Sequence, residues 1–88
     1  MLNLKESNLF KRDIKTVKKR GKDLKKLQPV VIALVNEVPL DAKYLDHPLL
    51  GTYKGNRECH IEPDWLLIYM IDGRDLKLVR TGTHSDLF

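Results

Sequence analysis

Apolar residues recur every three or four positions through the first 38 residues and at closer intervals afterwards, so the chain reads as helices followed by strands. Leu2 and Leu4 alternate with polar neighbours and predict a short first strand. Ser7 or Asn8 stands where a helix cap is needed, ahead of Phe10, Ile14 and Val17 at i, i+4 and i+7. Gly21 then occupies the position of a helix-ending glycine. Leu24, Leu27, Val31, Leu34, Val35 and Val38 repeat at threes and fours and predict a second helix. Proline inside a helix costs ~3 kcal/mol but is tolerated in the first turn. Pro29 therefore sets the main helix at about Pro29 to Glu37, with Asp23–Gln28 as a separate turn and Pro39 as the stop.

Residues 39–50 predict a loop, with Pro39, Asp41, Asp46 and Pro48 as turn formers. Tyr53 and the segment Arg57–Ile61 predict one or two strands around Lys54-Gly55-Asn56. Trp65–Ile71 is apolar apart from one tyrosine hydroxyl, as expected of a central strand covered on both faces. Asp72-Gly73 is a tight-turn signal. Leu76–Thr81 alternates, which places Leu76, Leu78 and Arg80 on one face and Lys77, Val79 and Thr81 on the other. The fold class is α+β: a short N-terminal strand, two helices, then an antiparallel meander with the helices on one face of the sheet. The other face is left to bind something. No repeat or linker interrupts residues 1–88, which predict a single domain.

Charge changes the picture more than composition does. Residues 1–27 hold ten Lys/Arg against three acidic residues, a net of +7, whereas the remaining 61 residues carry −3. Such a one-sided field attracts phosphate or an acidic protein surface, and otherwise solvates a helix face. One cysteine, Cys59, excludes an internal disulfide, and no apolar run resembles a signal peptide or membrane span. The expectation is a cytoplasmic protein with no membrane partner.

Candidate chemistry lies in the second half. All three histidines sit there, in Asp46-His47-Pro48, Cys59-His60-Ile61-Glu62-Pro63-Asp64-Trp65 and Arg80-Thr81-Gly82-Thr83-His84. Singly, each has a structural reading as a loop cap or strand-end group, and Asp64 fits a turn. Together, on strands whose ends converge at one edge, they match what cleavage of RNA through its 2′-hydroxyl requires. That reaction needs a base, an acid and positive charge for the phosphorane. Histidine titrates near ~6.5, and the arginine fork fits two phosphate oxygens.

A metal or other cofactor is not expected. Cys59 and His60 are adjacent and point to opposite faces of a strand, and no CxxC or HxxxH spacing exists. Ser85 directly follows His84 without nucleophile-elbow glycines, which argues against a serine triad. Trp65, Tyr69 and Phe88 have faces on which a base can stack. Tyr69 is assigned to the core, and Trp65, Phe88 and Lys54 to substrate binding.

The stretches DHPLLGTYKGNRECHIEPDWLLIYMI and LKLVRTGTHSDLF resemble the YafQ branch of the RelE/ParE toxins of bacterial type II toxin–antitoxin operons. The likeness is close over residues 39–88 and extends more loosely through KRGKDLKKL. It implies a RelE-like microbial RNase fold, a cognate antitoxin, and cleavage of mRNA in the ribosomal A site. Operator DNA would be reached only through the antitoxin. The resemblance carries function onto His47, His60, Asp64, Arg80, His84 and Phe88, with His84 as general acid and Arg80 as phosphate clamp. It leaves the base open among His47, His60 and Asp64. The alternative is a non-catalytic or gyrase-directed ParE-like toxin that acts by binding protein.

Overall fold

The computed structural model describes residues 1–88. Strand β1 (Asn3–Glu6) leads into helix α1 (Asn8–Lys19). Ser7 caps the helix: its Oγ accepts the Phe10 N–H at 2.9 Å and donates to the Val79 carbonyl at 2.7 Å. One hydroxyl thus fixes the helix start and ties it to the far end of the chain. Phe10 and Val17 are buried, and Gly21 follows the helix with φ of 85°. A 3₁₀ turn at Leu24–Lys26 precedes α2 (Gln28–Val35), which carries Pro29 in its first turn. The helix stops short of the expected Glu37 because that residue adopts a left-handed φ of 58°, leaving Val38 exposed.

The remaining strands are β2 (His47–Pro48), β3 (Arg57–Glu62), β4 (Trp65–Asp72) and β5 (Asp75–Gly82). The sheet order is β1-β5-β4-β3-β2. Strands β2 to β5 pair antiparallel, whereas β1 pairs parallel to β5, with Asn3 opposite Asp75. The sheet is therefore mixed. His47–Pro48, expected in a loop, adds a two-residue edge strand, and Tyr53 lies in a 3₁₀ turn (Gly51–Tyr53) rather than a strand. His84 does not end a strand; it opens the single-turn helix α3 (His84–Leu87).

The larger core lies between helices and sheet, where Phe10, Val17, Val30 and Leu34 meet Cys59, Trp65, Leu67, Tyr69, Leu76 and Leu78. Each of the Val, Leu and Phe side chains among them contributes about 1.5–3 kcal/mol on burial. The opposite face is not bare. Leu66, Ile68 and Leu87 form a second cluster there, flanked by Leu49, Tyr53 and Val79. Strand β4 is accordingly covered on both faces, as its unbroken apolar run predicts.

Strand β5 departs from its simple alternation. Tyr69 pairs with Leu78 but Ile68 pairs with Arg80, so Val79 is an extra residue in a β-bulge. After the bulge Thr81, 1% exposed, points into the main core, and Arg80 turns to the opposite face. A bulge re-aims the side chains that follow it, and a period-two reading cannot register one. No helix is long and apolar enough to cross a membrane.

Candidate active site

Strand parity builds the site. Glu58 and His60, two apart on β3, share the face away from the helices, and register places His47 opposite Glu58. The loop before His47 is pinned by Asp46, whose Oδ1 accepts the Tyr69 hydroxyl at 2.6 Å and the Arg57 Nε–H at 3.3 Å. Leu45 adopts a left-handed φ of 52°, a cost of about 1–2 kcal/mol, and its carbonyl lies 2.6 Å from His47 Nδ1.

A carbonyl only accepts, so His47 Nδ1 carries a hydrogen. Its Nε2 is 2.9 Å from Glu58 Oε2. Both ring nitrogens thus face oxygen acceptors. His60 Nε2 lies 3.8 Å from the same oxygen, and its Nδ1 is 3.4 Å from the Pro63 carbonyl. Glu58 is 5% exposed, and its other oxygen, Oε1, is buried without a hydrogen-bond partner.

The third imidazole arrives from α3. Thr83 and Asp86 cap this turn reciprocally, and Leu87 anchors it on Leu66 and Ile68. Asp64 Oδ1 accepts both the His84 backbone N–H at 2.9 Å and its ring Nδ1–H at 2.6 Å. These bonds, the backbone one first, hold the Asp64 carboxyl below its ordinary range. His84 Nε2 makes no hydrogen bond, and the side chain is 54% exposed. The three rings form a row, with centroids 6.2 Å apart for His47–His60 and 5.8 Å for His60–His84.

Arg80 lies on the same face beside the Tyr53 hydroxyl. Its guanidinium is held by Asp13 of α1 through Nε at 2.7 Å and Nη2 at 3.0 Å. Two of its five N–H groups are spent there, and the others remain for a phosphate. Phe88, 64% exposed, meets Tyr53 edge-on at 5.4 Å, and the Tyr53 hydroxyl donates to the Leu87 carbonyl at 3.2 Å.

The structure thus brings together His47, His60, Asp64, Arg80 and His84, with Phe88 at the rim. It does not bring Trp65. That side chain is 1% exposed and its Nε1–H donates to Thr81 Oγ1 at 2.9 Å. Trp65 shares parity with Leu67 and Tyr69 and so faces the helices, which corrects its assignment to substrate binding. Lys54 is exposed on the turn after Tyr53 and makes no ion pair. Glu58, Asp13, Tyr53 and Asp86 were not picked out by sequence reasoning. For Glu58 a signal existed: a carboxylate two residues from a histidine within a strand must share its face.

The metal question also turns on parity. Cys59 does point away from His60; it is fully buried, and burial pushes its thiol up to about 12, so it packs as a neutral group. Glu58 and His60 point together, and with His47 they bring three donor atoms within 4.8 Å of one another. Two imidazole nitrogens and a carboxylate oxygen suit zinc or copper. Glu58 Oε2, 2.9 Å from His47 Nε2 and 3.8 Å from His60 Nε2, is the oxygen that fits such an ion, which would supply positive charge where the imidazoles otherwise do.

Known proteins carry the same architecture. The Escherichia coli K12 mRNA interferase toxin YafQ is 45% identical over 87 residues, covering 98% of this chain and 95% of its own. The YafQ toxin in the E. coli DinJ–YafQ complex superposes with a TM-score of 0.92 at 44% identity, over 100% of this chain and 99% of that one. A metal-bound toxin from Helicobacter pylori superposes with a TM-score of 0.93 at 50% identity, over the whole of both chains. The family model described as bacterial toxin of type II toxin-antitoxin system, YafQ, matches residues 2–88. With a match that spans the strand, helices, sheet and histidine row together, the chain belongs to the YafQ family of type II toxin–antitoxin toxins.

Proposed function

We propose that this toxin is an endoribonuclease that cleaves mRNA in the ribosomal A site by acid–base chemistry. The observation that carries the reading is the row of three imidazoles, two of them on the buried Glu58 and the third on Asp64. In the reaction a base takes the 2′-hydroxyl proton and the 2′-oxygen bonds to phosphorus. The bond to the 5′-oxygen then breaks as an acid protonates it, leaving a 2′,3′-cyclic phosphate and a 5′-hydroxyl.

His84 is the acid: Asp64 holds its Nδ1–H, so the proton for the leaving group is the one on Nε2, on a side chain 54% exposed. Asp64 is committed to that bond and is not the base. The base is His60, whose Nδ1 lies 3.4 Å from the Pro63 carbonyl and whose Nε2, 3.8 Å from Glu58 Oε2, makes no hydrogen bond; Glu58 stabilises the proton it takes up. His47 and the unspent N–H groups of Arg80 stabilise the phosphorane. Phe88 offers an exposed ring for an adjacent base.

The relative from E. coli forms the DinJ–YafQ toxin–antitoxin complex. Here a cognate antitoxin neutralises the toxin and is its only route to operator DNA. Working on ribosomes, the toxin acts in the cytoplasm. A purely protein-directed toxin of the ParE kind needs no paired imidazoles, which favours the nuclease.

Primer extension on cellular mRNA after induction tests the reading. Discrete cuts are expected from the wild type, and their loss from a folded His84→Ala variant, since an acid contributes ~10²–10⁴ in rate. Cuts that persist undiminished in the variant would remove His84 from the mechanism. Purified protein on one transcript, with and without stalled ribosomes, separates A-site cleavage from cleavage of free RNA. Equal rates would mean the ribosome adds nothing.

A further inference from the structure

Helix α1 lies behind the sheet, yet its polar contacts run to the two segments that carry catalytic groups. Asp13 and Arg20, its C-cap, are seven residues apart, two helical turns, and so face the same way about 10 Å apart. Asp13 grips Arg80 through two bonds, and its Oδ2 also accepts the Thr81 N–H at 3.1 Å. Arg20 grips Asp86 through two more, Nη1 to Oδ2 at 2.6 Å and Nη2 to Oδ1 at 3.2 Å.

Asp86 completes the capping box of α3, its Oδ2 accepting the N–H of the cap residue Thr83 at 2.9 Å. Gly82 lies between the two grips and makes room for the second: a Cβ there would stand 2.8 Å from Asp86 Oδ2.

Two facts make these contacts more than surface ion pairs. A helix of four residues does not hold itself, because its nucleation cost is never recovered by propagation. The direction of His84 therefore depends on what fixes Thr83–Leu87 from outside. Arg80 is a long side chain on the far side of a bulge, and without a fixed partner its fork samples many rotamers. Resting on the proposed roles of Arg80 and His84, we propose that Asp13 and Arg20 are positioning residues. They form a two-point brace on one helix face that holds the phosphate clamp and the acid in register with each other.

The contrary reading is that both pairs are ordinary ion pairs. Arg20 and Asp86 have side chains 48% and 27% exposed, and pairs of that kind contribute little to stability. The readings differ in which quantity moves, so the test is a split between rate and stability. Single-turnover cleavage on programmed ribosomes would be measured for wild type, Arg20→Gln, Asp13→Asn, Arg20→Lys and Arg12→Gln. The last removes an unpaired cation from the same helix.

Misplacement of a reacting group by an ångström costs on the order of 10²-fold. Arg20→Gln and Asp13→Asn are expected to lower the saturating rate by ~10–10²-fold, with half-saturation and melting temperature little changed. Arg20→Lys should retain part of the rate, and Arg12→Gln should match the wild type. Amide exchange at Leu87 and Phe88, bonded to Thr83 and His84 carbonyls, should quicken in Arg20→Gln and not in Asp13→Asn.

Full saturating rates in both variants would overturn the brace, and so would losses that track melting temperature or recur in Arg12→Gln. Unchanged amide exchange in Arg20→Gln would overturn its second point. An active His84→Ala variant would instead refute the assigned acid, and leave the exchange result standing.

Discussion

Trp65→Phe separates a core residue from an RNA-stacking one, and its cost follows from the contacts. The indole is 1% exposed, and its Nε1–H meets Thr81 Oγ1 at 2.9 Å. Phenylalanine deletes that bond, a net loss of about 1 kcal/mol. The hydroxyl left behind still donates to the Leu66 carbonyl at 2.6 Å, so it is not stranded. The missing half of the indole leaves space among Leu67, Tyr69 and Val17, for about 1–2 kcal/mol more. The total of about 2–3 kcal/mol lowers the melting temperature by roughly 10–20 °C in a domain of this size. Thermal unfolding by circular dichroism reads that value. Affinity for a 2′-O-methyl oligoribonucleotide, which cannot be cleaved, should be unaltered. Trp65 is the chain's only tryptophan, so wild-type fluorescence should not quench when RNA binds. An unchanged melting temperature together with ~10-fold weaker RNA binding, the value of a stacked base, would refute the reasoning.

Glu62, Asp64 and Asp86 are held below their ordinary values, by Lys22 and Lys26, by the His84 N–H, and by Arg20 respectively. A carboxyl depressed on folding contributes stability that is present above its unfolded value and lost as pH falls through the folded one. Melting temperature should therefore drop as pH falls below the usual 4.5 of Glu and 3.8 of Asp, with a shallower drop in Asp86→Asn. A drop of the same steepness in both would remove Asp86 from the linkage. Cleavage should survive a chelator and slow on adding zinc or copper, which compete for His47, Glu58 and His60; activity lost to chelator and restored by metal would reverse the mechanism. Association with the antitoxin should slow as salt rises, because residues 1–27 carry +7 and exposed charges are screened beyond ~10 Å at 0.1 M salt. A rate indifferent to salt would take the basic segment out of that encounter.

The helices and central strand were legible because burial imposes periodicity, and Phe10, Val17 and Trp65–Ile71 display it plainly. Pro29 and Gly21 marked boundaries through backbone chemistry alone. What escaped was set by register and by contacts distant in sequence. The bulge at Val79 reverses the facing of Arg80 and Thr81 without any change of composition. Strand β2 is two residues long, too short to show a period, yet it places His47 on Glu58. The histidines and Asp64 could be found by residue type. Their partners Glu58, Asp13 and Asp86 are ordinary charged residues until the fold supplies a neighbour, and Trp65 was misassigned because an aromatic ring fits both a core and a base.

The parallel pairing of β1 with β5 gives the toxin a built-in delay. The first strand finds its hydrogen-bond partner only in the last, with Asn3 and Asp75 72 residues apart. Contacts so distant in sequence slow folding, since a long loop must close before they form. While the chain is being made, β1 and α1 emerge with nothing to pair against, and Asp13 and Arg20 precede their partners Arg80 and Asp86. Arg80 and His84 follow the helices α1 and α2 and the strands β1 to β4 in the chain. The Asp13–Arg80 and Arg20–Asp86 bonds can therefore form only once the final strand and the turn after it are in place.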